Sequence, residues 1–332
     1  MTVRMLLACA LALAITAAAG ADVICKSRSG VLRMRPTACK KREVLLPIAI
    51  EDGGATVKFV GTNVQIVSGS GTTDGAVNGR GNLVIGYDAA PAGQAHTGSH
   101  NLVVGDEHAY TSFGGIVAGV GNAIDGPGAS VLGGRANVAT GETSVVVGGF
   151  TNETTGLRSV VAGGGFNAAS GEGAVVAGGG TNRATNAHAT VTGGENGEAS
   201  GAFSTVSGGS LGLADGEWGS VSGGYDNRAM GETASVAGGL GNTASGRGTV
   251  VTGGVGNQAG GLFTSILGGL SNTASGGGAM QTQQGETVFP GGAVCGGRNN
   301  VASGAQSAVG GGATRTAAGD DDWAAGALSQ DQ

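Results

Sequence analysis

The sequence predicts an all-β protein whose larger part is a parallel β-solenoid built of fifteen-residue coils. Three observations predict it: Asn recurs at a fixed spacing, Val or Ile keeps the same phase, and Gly pairs stand between them. Asn122, Asn137, Asn152, Asn167 and Asn182 follow one another at steps of fifteen, and the phase runs through Gly197 and Gly212 to Asn227, Asn242, Asn257 and Asn272. Ten consecutive intervals hold without slippage, and after an interruption at about residues 277–292 the pattern resumes on Asn300. A fixed period of this kind marks a repeat architecture.

The other columns justify the strands and turns. Six residues before the markers stand Ile116, Val131, Val146, Val161, Val176, Val191, Val206, Val221, Val236, Val251, Ile266 and Val294. β-Branched side chains suit a pleated strand whose neighbours above and below are the same residue. Two Gly fall four and three residues before nearly every marker, Ala118 being the exception, and Ala often stands two residues after it, as in Ala139, Ala169, Ala184 and Ala274. Fifteen residues accommodate two short strands and two tight turns. The Val and Ala columns are expected to fill a narrow interior, and the Asn column to stack as a hydrogen-bonded ladder. The Gly four residues after each marker is replaced once, by Asn186. Asn tolerates the left-handed conformation best after Gly, so that column is expected to have φ > 0.

Composition narrows the class. The chain has 332 residues with 72 Gly, 12% charged and 4% aromatic residues. Collagen is excluded because no Gly-X-Y period occurs, and 40% hydrophobic content argues against disorder. A net charge of −6 provides no basic surface for nucleic acid.

Taken in order, residues 1–21 read as a signal peptide, with one early positive charge, an apolar run over Met5–Ala19 and small residues at Ala17–Ala21. No stretch of the mature chain reads as a membrane span, so an exported chain is expected. Residues 22–50 form a small segment in which Cys25 and Cys39 are expected to pair, as suits an oxidising compartment. Residues 51–114 are a β-rich lead-in, 115–319 the repeat domain and 320–332 an acidic tail. Cys295 stands where other coils carry Val, Leu or Ala and reads as a small buried hydrophobe.

Candidate chemistry is sparse. His96, His100, Asp106, Glu107 and His108 are the one cluster of metal-capable side chains, but the segment contains Gly and lacks ligand spacing on a helix. A loop with scattered polar residues is the preferred reading. Asp320–Asp322 read as a solvated cap, since the repeats lack the Gly-Gly-x-Gly-x-Asp pattern of calcium rolls. His188 replaces an ordinary turn residue. No nucleophile–base constellation stands out, so no enzyme activity, cofactor or metal is expected.

At "SVLGGRANVATGETSVVVGGFTN" the chain resembles the head repeats of trimeric autotransporter adhesins (YadA-like, or Hep/Hag repeats), over roughly Gly115–Gly312. The resemblance implies a left-handed parallel β-roll, a homotrimer and a surface that binds host or matrix components. Residues 78–115 look like the segment preceding such repeats in secreted bacterial proteins, and "DDDWAAGALSQDQ" like their usual terminus. The sequence departs from the family in showing no heptad stalk and no C-terminal anchor barrel, so self-transport and outer-membrane anchoring are not carried over.

A secreted or surface-displayed structural and adhesive rod is therefore expected, with an unidentified glycan or matrix ligand. Val145, Val147, Val160, Val175, Val250, Leu132 and Leu267 flank the inward Val column and would form an apolar stripe for a trimer contact. Two rivals come from other classes. An ice-binding solenoid would need a flat Thr ladder, hinted at by residues 190–192 and 249–252. A polysaccharide-active enzyme would depend on His96 or His108.

Overall fold

The Val-Gly-Asn-Ala rhythm leaves room in each coil for two strands of two residues, with turns between. Val145–Val146 and Glu153–Thr154 form one such pair. Each strand bonds in parallel to its equivalent in the next coil, so that Val145 faces Val160, Val146 faces Val161 and Glu153 faces Ala168. Identical columns are thereby stacked along the axis. The computed structural model describes residues 22–29, 32–35, 38–51, 55–90, 95–276, 280–281, 287–288 and 291–326. The expected signal segment and residues 327–332 lie outside these.

Two units result. In the larger one, Val67–Gln332, the strands build parallel sheets of 16 and 14 strands. Single parallel bridges such as Arg135 to Phe150 and Phe150 to Gly165 make a third line of contact along the stack. The architecture is a parallel β-solenoid with fifteen-residue coils, and no helix occurs among the described residues.

The interior is as narrow as the column pattern requires. Val131, Val146, Val161, Val176, Val191, Val206, Val221, Val236 and Val251 are fully buried, as are Ala139, Ala184 and Ala274. Between them lie Asn122, Asn137, Asn152, Asn167, Asn182, Asn227, Asn242, Asn257, Asn272 and Asn300, also buried. Burial of each Val contributes about 1.5–3 kcal/mol. The first coil departs from the column reading: Val117 is the inward residue, and Ile116 is exposed. Val117 pairs with Val131, one residue short of the usual step, because the strand Ile116–Val120 starts the coil out of phase.

The stack reaches further back than the Asn period. Leu83–Ile85 pairs with Leu102–Val104, and Leu102 pairs with Ile116. The first of these coils is longer than the regular ones and the second is shorter, so a search at the regular period passes over both. Past Asn272 the interruption leaves the register intact. Ile266 pairs directly with Val294, and Asn272 Oδ1 accepts the Asn300 N–H at 3.0 Å. Within the inserted segment, Met280–Gln281 and Thr287–Val288 pair antiparallel. The last rung is Trp323–Ala324.

Three positions per coil have φ > 0, and they differ from the one expected. The Gly three residues before the marker is left-handed, as at Gly149 (φ 92°), where a Cβ would also crowd Asn152 Nδ2 at 2.6 Å. The residue just before the marker and the one six after it are left-handed as well, although many carry side chains: Thr151, Phe166, Arg158 and Trp218 have φ of 53–59°. The column of Asn186 is not among them. Its Gly residues serve close approach instead, since a Cβ on Gly156 would run into the carbonyl oxygen of Gly171 in the next coil. Asn186 itself fits by facing outward, donating to Ser200 O at 3.0 Å and accepting from Ala187 N–H at 2.8 Å. Periodicity shows that Gly is needed without showing whether φ or space demands it.

The smaller unit, Met1–Ile66, holds a four-stranded antiparallel sheet in the order Leu32–Arg35, Asp22–Lys26, Val44–Glu51, Thr56–Phe59. Cys25 and Cys39 form a disulfide with Cα atoms 5.5 Å apart. Arg35 donates two hydrogen bonds to the Glu43 carboxylate, of 2.7 and 3.2 Å.

Candidate functional site

The lead-in coils bring together what the sequence shows as scattered polar residues. The strand Ala109–Tyr110 turns Tyr110 inward, and the preceding coil lays His96 parallel to it with ring centroids 4.6 Å apart. Asp88, held at φ 46°, is buried against both. Its Oδ2 accepts the Tyr110 hydroxyl at 3.0 Å, and its Oδ1 accepts the His108 N–H at 3.4 Å. Asp88 Oδ2 also lies 3.6 Å from His96 Nδ1. A carboxylate out of water needs such partners, since an unpaired buried charge is strongly unfavourable.

The network assigns the ring protons. His96 Nε2 lies 2.7 Å from the carbonyl oxygen of His108, which can only accept, so Nε2 carries hydrogen. His96 Nδ1 faces the Asp88 carboxylate. Burial, with Asp88 as the second cause, pushes the Tyr110 phenol up to about 12.

His108 has a separate task. Its Nδ1 accepts the N–H of Asn122 at 3.3 Å and its Nε2–H donates to Val104 O at 3.0 Å. The ladder residues make the same two bonds. Asn122 Oδ1 accepts the Asn137 N–H at 2.7 Å, and Asn137 Nδ2 donates to Gly133 O at 3.2 Å and to Gly149 O at 3.0 Å. His108 therefore starts the Asn ladder. His100 is engaged elsewhere, accepting the Ser68 N–H at 3.0 Å and donating from Nδ1 to Thr73 O at 3.1 Å. Asp106 Oδ1 accepts from Ala89 N–H at 2.6 Å and Glu107 N–H at 3.0 Å, while Glu107 faces solvent.

The metal-capable residues His96, His100, Asp106, Glu107 and His108 are thus divided among separate hydrogen-bond networks. His100 and His108 each have both ring nitrogens in hydrogen bonds, whereas His96 has Nε2 bonded and Nδ1 turned toward the Asp88 carboxylate. Among the described residues no group of three metal-capable side chains converges. Asp88 and Tyr110 complete the buried network and were invisible to sequence reasoning, because their coils do not share the regular period.

Other candidates fall on the surface or at the ends. Asp320 Oδ1 accepts the Ala305 N–H at 2.9 Å and Asp322 Oδ2 the Gly319 N–H at 2.6 Å, so the acidic run caps backbone at the end of the stack. Cys295 is exposed rather than buried. Its column is one residue past the inward Val, and strand alternation turns it outward. His188, Phe203 and Trp218 occupy one left-handed column and stack, with centroids 5.0 and 4.2 Å apart. Their spacing of one coil was the available signal. The Thr array is broken, since Thr190 and Thr205 are followed by Ser220 and Ser235 in the same column. No described helix is long and apolar enough to cross a membrane.

Among the described residues, these hydrogen bonds tie neighbouring coils of the stack to one another. Comparison with protein-family models gave no match to this chain, and comparison with curated proteins gave none either.

Proposed function

We propose that this protein is a non-enzymatic, adhesive solenoid, exported and displayed outside the cell, that acts as a homotrimer and binds an unidentified glycan or matrix ligand through its repeated surface. The observation that carries the reading is the use of side chains. His96, His100, His108, the buried Asp88 and the Asn column all serve the stack, while long outward columns of Ser, Thr, Glu and aromatic residues remain for contact. The resemblance to adhesin head repeats supports the same reading.

Two features support the trimer. Leu132, Val147, Val250 and Leu267 are exposed on one side of the stack, beside half-buried Val145, Val160 and Val175. Next to them runs a Gly column, four residues before the marker, that the chain does not itself require. Gly148, Gly163, Gly178 and Gly193 lack positive φ, and a Cβ on any of them would meet no atom within 4 Å. Packing of another copy against that side would explain why it stays free of side chains, and would remove apolar surface from water at about 25 cal/mol per Å².

The test is a binding screen of residues 22–332 against glycan and matrix-protein arrays, with light scattering at several concentrations. Saturable binding by a trimer supports the proposal. A monodisperse monomer that binds nothing on either array overturns it.

A further inference from the structure

The Asn ladder has a gap. Asn182 Oδ1 accepts the Gly197 N–H at 2.8 Å, and Asn227 Oδ1 accepts the Asn242 N–H at 3.0 Å. Between them Gly197 and Gly212 stand at the marker position without a side chain, both buried. Among the described residues, the backbone N–H groups of Gly212 and Asn227 find no acceptor. The carbonyl groups of the half-buried Gly193 and Gly208 likewise lack the donor that Asn167 Nδ2 gives Gly163 O at 2.9 Å. Ser204, in the same stretch, has a buried hydroxyl oxygen with no partner.

Such groups are rarely left unpaired, because each unsatisfied buried donor or acceptor is costly. The apolar neighbours cannot satisfy them. A Cβ at Gly197 would meet Asn182 Oδ1, which already accepts the Gly197 N–H, at 3.1 Å and Val206 Cγ1 at 3.2 Å, and one at Gly212 would meet Val206 and Val221 Cγ1 at 3.3 Å. A cation would face the N–H groups and an anion would face the carbonyls. Water can both accept from the N–H groups and donate to the carbonyls, and buried waters typically make about three hydrogen bonds.

We propose that an ordered water molecule replaces the missing carboxamide in each of these two coils. The first accepts from Gly212 N–H and donates to Gly193 O and Gly209 O. The second accepts from Asn227 N–H and donates to Gly208 O and Gly224 O. The pair makes these coils a hydrated joint in an otherwise dry ladder, and the place where the stack opens first.

The test combines crystallography of the wild-type protein, at a resolution that shows ordered solvent, with amide hydrogen exchange. Expected are a solvent peak within hydrogen-bond reach of Gly212 N and of Asn227 N, and exchange at Asn227 roughly tenfold faster than at Asn167. Gly212→Asn should then slow Asn227 exchange to the Asn167 rate. Absence of a peak at both positions, or equal exchange at Asn227 and Asn167 in the wild-type protein, overturns the proposal.

Discussion

The backbone N–H of Asn122 donates to His108 Nδ1 at 3.3 Å, the bond that Asn137, Asn152, Asn167 and Asn182 each make to an asparagine oxygen. A histidine thus begins a ladder of carboxamides because its ring presents an acceptor and a donor to the same two neighbours. His108→Asn is accordingly expected to retain most stability, whereas His108→Leu leaves the buried Asn122 N–H unpaired and should lose about 1–3 kcal/mol. Urea denaturation of both variants distinguishes them, and equal loss would contradict the assignment.

A ladder residue within the stack is expected to matter more. Asn167 Oδ1 accepts the Asn182 N–H at 2.9 Å, and its Nδ2 donates to Gly163 O at 2.9 Å and Gly179 O at 3.0 Å. Asn167→Asp keeps the acceptor but turns the donor into a charge facing two carbonyls. Asn167→Asp should therefore melt lower than wild type at neutral pH, and calorimetry of the pair checks it.

Adjacent glycines should respond oppositely. Gly149→Ala places a methyl at φ 92° against the next coil and is expected to lose about 3 kcal/mol. Gly148→Ala adds a methyl where nothing lies within 4 Å, so monomer stability should change by less than about 0.5 kcal/mol. On the trimer proposal, Gly148→Ala nevertheless weakens association. Thermal melts together with sedimentation separate the two effects.

In the smaller unit the Arg35 guanidinium, and then the Lys40 N–H, hold the Glu43 carboxyl down to about 2. Its folded value lies below the unfolded one, so its contribution is fully present above the ordinary carboxylate range and is lost as pH falls from about 4.3 toward 2. Glu43→Gln is expected to flatten the acid dependence of unfolding in that window. An unchanged acid limb in the variant would contradict the role given to the pair.

Legibility followed the period. Wherever coils repeat at the regular length, the inward Val and Ala columns and the Asn ladder could be read directly, because parallel stacking puts the same residue in the same environment each time. The coils through Leu83–Ile85 and Leu102–Asp106 have other lengths, which hid Asp88 and Tyr110 and left His96 and His108 looking like loop residues. Asn186 departs from expectation for another reason. A column of Gly reports a constraint, and only coordinates separate a left-handed backbone from a neighbouring carbonyl. The outward position of Cys295 could have been read, since alternation places it opposite the inward Val294.

The repeats stack in register, one regular coil upon the next. Thr155 and Ser245 occupy the same exposed position six coils apart. Spin labels on cysteines at these two sites, in a Cys295→Ser background, should give a narrow pulsed-dipolar distance of about 29 Å, at about 4.8 Å per coil. A flexible chain of that length would instead give a broad distribution centred at roughly 50 Å. In-register stacking gives the narrow peak at the shorter distance, and the broad distribution would overturn it.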